Sequence, residues 1–359
     1  MVEVDLKEIK GFLQEFDSPD REILSKFLEG KRLSSKERRR AIFYSVPILS
    51  LAVLNRRFQL NKSRAEEERV RYRPEKMGDI GSVKHLKVLP LIDFYGVGEL
   101  CTEPGVSYYV KADDVGILFD TGLNDKQEHP SPLLRNMKAL GIGVEDIDYI
   151  FISHLHGDHV GGSTRSREGT FALSREQLNL SHVETFTPVP MNHPSARVTH
   201  MRNPMVIIEG VTSIGPILNP LFWYGSVTEH SLAINVEGKG LVIIVGCGHQ
   251  GLQKIINRVE SLFDTPVYGI IGGLHYPITK SRLARWGSSN QRLGGTGKPP
   301  WDPPNRDDLK EAMEYLKARS PKVVALSPHD SCDESIEAFK ETFPDAYTHI
   351  MVGESITSS

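Results

Sequence analysis

The stretch from Ser153 to Gly162, Ser-His-Leu-His-Gly-Asp-His-Val-Gly-Gly, constrains this chain more than any other. It gathers His154, His156, Asp158 and His159 within six residues. Ahead of it runs Ile147-Asp148-Tyr149-Ile150-Phe151-Ile152, whose β-branched and aromatic residues read as a buried strand. Side chains on a strand repeat every two residues, so an extended His-x-His aims two imidazoles to one side. Asp158 and His159 come off the turn beyond and can face a second point nearby. Nitrogen and oxygen donors so spaced suit a site for two metal ions. A solvated, histidine-rich loop is the alternative, and it accounts for one histidine better than for this cluster.

The bulk properties are those of an ordinary soluble protein. A length of 359 residues allows one large domain with an appendage, or two domains. Hydrophobic residues at 39% and charged residues at 25% are typical of globular chains. A net charge of −3 offers no basic exosite and argues against a nucleic-acid partner. Cys101, Cys247 and Cys332 are too few and scattered for a disulfide framework, which places the chain in a reducing cytoplasm. The apolar run Ala41 to Leu54 contains Ser45, Pro47 and Ser50 and falls short of the ~20 residues that cross a bilayer. Arg38-Arg39-Arg40 precedes it, but Asn55-Arg56-Arg57 follows where a signal peptide would have a small-residue cleavage site.

Two textures divide the chain. Residues 1–80 read as a helical N-terminal extension: Val4 to Phe16, Pro19 to Leu28 and Ser34 to Leu54 carry helical apolar spacing. Ser18 and Ser34 are candidate N-caps, Ser34 with Glu37 three residues on. Arg64 to Lys76 is dense in both signs of charge and reads as an exposed helix or linker. From residue 84 to 359 short strands take over, then alternating strands and helices that end on a strand over Thr348–Val352. Sheets with helices outside predict an α+β chain, a four-layer αββα sandwich. The Gly-, Pro-, Arg- and Trp-rich insertion from Tyr276 to Arg306 is longer than an ordinary connector, as functional lids are.

A two-metal site needs further ligands, and one polar residue follows each later hydrophobic strand. Glu229-His230 precedes Ala233–Val236, and Gly246-Cys247-Gly248-His249 ends Leu241–Val245. Gly272-Gly273-Leu274-His275 and Pro328-His329-Asp330 end the two strands after that. This is the layout of a site built along one edge of a sheet scaffold.

These motifs resemble the metallo-β-lactamase-fold hydrolase superfamily, from about Leu86 to Ile356. The resemblance implies that Asp120, in Phe-Asp-Thr-Gly, orients the ligand loop. It implies that His154, His156 and His230 hold one metal, and that Asp158, His159 and His329 hold the other. The superfamily's bridging aspartate is replaced by Cys247, in Val-Gly-Cys-Gly-His-Gln-Gly. That variant is similar to the branch containing the archaeal dihydropterin-ribofuranosylaminobenzene phosphate synthase, although His329-Asp330-Ser331-Cys332 stands where that branch has His-Cys-Thr-Gly. Residues 1–80 lie outside the resemblance.

The expected cofactor is zinc, two ions, with iron or manganese as alternatives. The expected chemistry is attack by a metal-bound hydroxide on a phosphate-bearing or pterin-like small molecule. Asp158 would orient the nucleophile, and His249 or His275 would protonate the leaving group. A thiolate at Cys247 would favour soft ions and bridge poorly; a small buried hydrophobe is its alternative. Arg282, Arg285, Arg292 and Lys298 could clamp an anion, and Trp286 and Trp301 could stack on a ring. The competing functions are a synthase-type condensation, a nuclease, an iron-based redox role and a non-catalytic metal-binding protein. A homo-oligomer is left open.

Overall fold

The computed structural model describes residues 34–279 and 290–358, together with Glu22, Lys26 and Lys31. The helices expected over Val4–Phe16 and Pro19–Leu28, the cap at Ser18, and Arg282, Arg285 and Trp286 lie outside these residues. Helix α1 runs from Ser35 to Arg71 and joins what the sequence divides into a helix and a charged linker. Ser34 caps it as expected: the Glu37 N–H donates to Ser34 Oγ, and the Ser34 N–H donates to Glu37 Oε2.

Strands β1 (Leu86–Ile92), β2 (Ser107–Ala112), β3 (Val115–Phe119), β4 (Tyr149–Phe151), β5 (Glu184–Thr187) and β6 (Arg197–His200) build the first sheet in that order. The second sheet uses β7 (Met205–Ile208) and β8 (Val211–Ser213). A separate hairpin, β9 (Ile217–Leu221) and β10 (Gly225–Glu229), then interrupts it. It continues through β11 (Leu232–Val236), β12 (Gly240–Val245), β13 (Val267–Gly272) and β14 (Val323–Leu326). The last strand, β15 (Ile356–Ser358), returns to pair antiparallel with β1. It corrects the expected strand over Thr348–Val352: there only Val352 makes an isolated bridge, to Gly96, because this segment crosses between the sheets instead of joining one.

The strand period sorts the apolar residues into three cores. In β12, Val242 and Ile244 point toward the other sheet and meet Val110, Phe119 and Phe151. Leu241, Ile243 and Val245 point the opposite way. They pack under α4 (Leu252–Leu262), α6 (Arg306–Lys317) and α7 (Asp333–Thr342), through Ile255, Leu316 and Phe339 among others. On the far side of the first sheet, Leu118 and Ile150 pack under α2 (Pro132–Ala139) by way of Leu133 and Met137. The chain also forms α3 (Ser163–Glu168) and α5 (Asn290–Gly294). Helices therefore cover both outer faces of two facing sheets, which is the expected αββα arrangement. Among the described residues no helix is long and apolar enough to cross a membrane.

Helix α1 docks on the β9–β10 hairpin. Phe58, 1% exposed, packs 5.6 Å from Phe222, Arg57 donates to the Trp223 carbonyl, and Asn61 donates to the Gly225 carbonyl.

Candidate metal centre

The ligand motif begins two residues after β4 ends, so the strand period does not align His154 with His156. The turn after the strand brings them together instead, with ring centroids 4.6 Å apart and nearly perpendicular. Donor atoms of Asp158, His159, Cys247 and His329 lie within 4.8 Å of one another. Those of His154, His156 and His249 form a second such group, and Cys247 and His249 form a third with His275.

The other ring nitrogen of each histidine decides which lone pair faces inward. Ser153 Oγ donates to Asp120 Oδ2 at 2.7 Å, so it accepts from His154 Nδ1 at 2.9 Å. Ser327 Oγ donates to Asp93 Oδ2 at 2.6 Å, so it accepts from His329 Nδ1 at 2.6 Å. His159 Nδ1 donates to Asp120 Oδ2 at 2.7 Å, and His249 Nδ1 donates to the Gly295 carbonyl at 2.6 Å. His154, His249 and His329 therefore present a bare Nε2 to the centre, while His159 turns its Nε2 toward Cys247 and Asp158. Such backing of the outer nitrogen is how proteins orient imidazole toward metals.

The inner atoms crowd together. Cys247 Sγ lies 3.0 Å from His159 Nε2 and 3.3 Å from His329 Nε2, and His249 Nε2 lies 3.1 Å from His156 Nδ1. His154 Nε2 is buried with no partner among the described residues. The Cys247 thiol can donate to only one of the two imidazoles beside it, and His154 Nε2 stays buried and unpartnered, a shortfall that a cation among these atoms would make good. The residues present thus fit metal ions. The mix of imidazole, thiol and carboxylate suits zinc-like ions better than magnesium or calcium.

Electrostatics agree. Burial, reinforced by neighbouring histidines, pushes His154, His249 and His329 well below the usual histidine range and keeps them neutral. Burial would also lower His159, but Asp158 and Asp120 outweigh it and push the group up to about 9. Burial and the carboxylates around it, Asp158 first, push the Cys247 thiol well up, so thiolate formation needs a cation beside it.

His230 lies elsewhere. Its Nε2 donates to the Ile152 carbonyl at 2.8 Å, and its Nδ1 faces Ser213 Oγ at 2.9 Å. The ring stacks on Phe151 at 3.9 Å in the core between the sheets. With both nitrogens engaged it offers no lone pair to a metal, and His249 stands beside His154 and His156 in its place. His275 lies at the edge of the cluster, with Nδ1 3.7 Å from Asp330 Oδ2. Its Nε2 faces the Gln291 carbonyl at 3.3 Å, which leaves Nδ1 without a hydrogen bond and free to accept one or to ligate. Burial pushes it down to about 4. Asp120 (φ 60°) and His275 (φ 55°) both hold left-handed backbone that non-glycine residues rarely adopt, as functional sites often do.

The insertion supplies much of this orientation. Gln291 and Gly295 provide the carbonyls for His275 and His249, and Gln291 Nε2 donates to the His329 carbonyl at 2.8 Å. A Cβ on Gly295 would lie 2.3 Å from His275 Nε2, so only glycine fits there. Lys298 is no free anion clamp, since its Nζ pairs with Asp308 at 2.8 Å and Asp302 at 3.7 Å. Trp301 packs edge-on against Phe222 at 5.2 Å and supports the hairpin instead of offering a stacking face.

Four residues of the site escaped the sequence reading. Glu229, fully buried and pushed up to about 7 by that burial, accepts from the N–H groups of Gly248 and His249 at 2.8 and 2.9 Å. It fixes the turn that carries Cys247 and His249. Asp93, Ser153 and Ser327 complete the outer contacts. Only the position of Glu229 beside His230, and of the serines beside ligand histidines, could have signalled them.

Residues 102–174 match the metallo-beta-lactamase superfamily. The 7,8-dihydropterin-6-methyl-4-(beta-D-ribofuranosyl)-aminobenzene-5'-phosphate synthase of Methanocaldococcus jannaschii is 26% identical, over 55% of this chain and 80% of its own length. Ribonuclease Z of Nanoarchaeum equitans is 40% identical over 16% of each chain. The crystal structure of a metal-dependent hydrolase of the beta-lactamase superfamily superposes with a TM-score of 0.51 at 18% identity, covering 76% of this chain and 99% of that one.

Proposed function

Because the chain carries a metallo-β-lactamase superfamily domain in a fold of that class, we propose that it is a hydrolase that uses two zinc-class ions on a phosphate-bearing or pterin-like small molecule. His154, His156 and His249 would hold one ion, and Asp158, His159 and His329 the other, with Cys247 a ligand available to either. The convergence of bare imidazole nitrogens on Cys247 and His156 carries this reading. Such ions supply Lewis acidity and lower the pKa of water to about 7. The residues do the rest. Asp158, whose side chain is 29% exposed, sits at the solvent side of the cluster, where it would orient the attacking water. His275 Nδ1 accepts a hydrogen bond from substrate or ligates, while Tyr224, ring centroid 6.4 Å from His156, borders the approach.

The relative from Methanocaldococcus jannaschii supports the phosphate-bearing class and also a second reading, condensation onto a dihydropterin acceptor in place of water. The test is metal analysis of the purified protein together with a panel of phosphomonoesters and phosphodiesters. Two equivalents of zinc and chelator-sensitive turnover support the hydrolase. Metal without turnover on any ester, but consumption of a dihydropterin acceptor, supports the condensing enzyme. Protein that takes up no metal overturns both.

A further inference from the structure

A cavity of about 250 Å³ opens at the start of α4, with His249 and His275 in its wall. Gln250 lines it, is 2% exposed, and has no partner for either Oε1 or Nε2 among the described residues. A bare buried carboxamide is costly, and it marks a place built to meet something polar. Helix α4 begins at Gly251 without a side-chain cap. The N–H groups of Leu252 and Gln253 find no acceptor among the described residues. They present donors and partial positive charge to the same space.

Lys254 reaches this cavity too. Its Nζ donates to Asn219 Oδ1 at 3.1 Å and has no carboxylate within ion-pairing distance among the described residues. Lost hydration, then Arg69, outweigh the nearby Glu66 and push its ammonium down, a cost that a bound anion relieves. The two carboxylates on the wall are already engaged. Asp308 accepts from Lys298 Nζ and the Asn305 N–H, and Glu311 accepts from Gln253 Nε2. Through Asn219, Lys254 and Gly297 the cavity adjoins a larger one of about 590 Å³ between α1, β9 and α4, whose wall mixes Lys62, Arg202 and Arg258 with Glu66 and Glu68, these two paired with Arg69 and Arg64.

We infer that the start of α4 is a phosphate-binding subsite, in which the N–H groups of Leu252 and Gln253, the Gln250 amide and the Lys254 ammonium hold the phosphate group of a small ligand beside the metal ligands. The inference rests on the reading of the substrate as phosphate-bearing, and it adds where that group is recognised. The larger cavity gives the remainder of the ligand room under α1.

The test titrates the metal-loaded, full-length protein with inorganic phosphate, followed by calorimetry and thermal unfolding. Saturable binding is expected. Gln250→Leu should unfold at the same or a higher temperature without phosphate, yet bind phosphate about tenfold more weakly or worse, because it removes the bare amide. Lys254→Met, at a position that tolerates change, should weaken binding similarly and decides the matter if Gln250→Leu fails to fold. Wild-type affinity in a folded variant of either kind, or no binding by the wild type at millimolar phosphate, overturns the subsite. Turnover is not part of this readout. Phosphate binding lost in both variants alongside an inactive ester panel would leave the subsite standing and the hydrolase reading refuted.

Discussion

The Nε2 of His249 lies 3.1 Å from the Nδ1 of His156, while His230 is stacked 3.9 Å from Phe151 with both its nitrogens engaged. Two histidines, one at the end of the β9–β10 hairpin and one in the turn after β12, thus have different work. His249→Ala is expected to lose about one equivalent of metal, whereas His230→Phe keeps full metal content. The latter loses about 1–3 kcal/mol of stability by stranding the Ile152 carbonyl and the Ser213 hydroxyl. Elemental analysis paired with chemical denaturation separates the two outcomes.

Cys247 Sγ sits between His159 and His329 at 3.0 and 3.3 Å. Cys247→Asp exchanges a soft thiolate for a hard carboxylate, so bound metal should shift from zinc toward manganese or magnesium when all are offered together. Zinc content unchanged by the substitution would falsify the role given to the thiol.

Asp120 Oδ2 accepts from His159 Nδ1 and from Ser153 Oγ, both at 2.7 Å, and so holds two ligand histidines in one orientation. Asp120→Asn removes the charge from that contact without reaching the metals. Metal affinity should fall about 10–100-fold, measured by competition with a chelating dye. Folding at saturating metal should be preserved.

His193 lies outside the site and sets a pH dependence of stability. Its Nδ1 accepts from the Ser195 and Ala196 N–H groups, its ring stacks on Phe171 at 4.7 Å, and burial followed by Arg165 pushes it down to about 4. The folded state therefore resists protonation that the unfolded chain accepts near pH 6.5. Stability is full above that pH and is lost as pH falls toward 4, by about 1–2 kcal/mol once partial solvent screening is allowed for. Urea titrations at pH 7 and pH 5 should show a smaller loss in His193→Gln than in the wild type.

Phe58 fastens α1 to the hairpin through Phe222. Phe58→Ala should cost about 3 kcal/mol of local stability and speed hydrogen exchange in β9, β10 and α1 while sparing β12. Uniform exchange across all four elements would contradict a hairpin held by α1.

The layering of the fold was legible because period-two apolar strands and amphipathic helices carry their own pattern. β12 shows it plainly, with alternate residues entering two different cores. The cap at Ser34 was equally local. The end of the chain was not: Thr348–Val352 has strand-forming residues, but pairing depends on a neighbour, and β1 is paired there by β15 instead.

The motif His154-x-His156-x-Asp158-His159 and the turns that carry Cys247, His275 and His329 were readable along the chain, since contiguous residues need no distant partner to be recognised. Packing of the sheets, not spacing, brings His249 and not His230 beside His154 and His156. Glu229 and His230 are adjacent, so their side chains leave the backbone on opposite sides. The carboxylate of Glu229 reaches the turn at Gly248 and His249, and the imidazole of His230 enters the core against Phe151. Which of two neighbours faces a site is set by how the sheets pack, and that is information no local spacing holds.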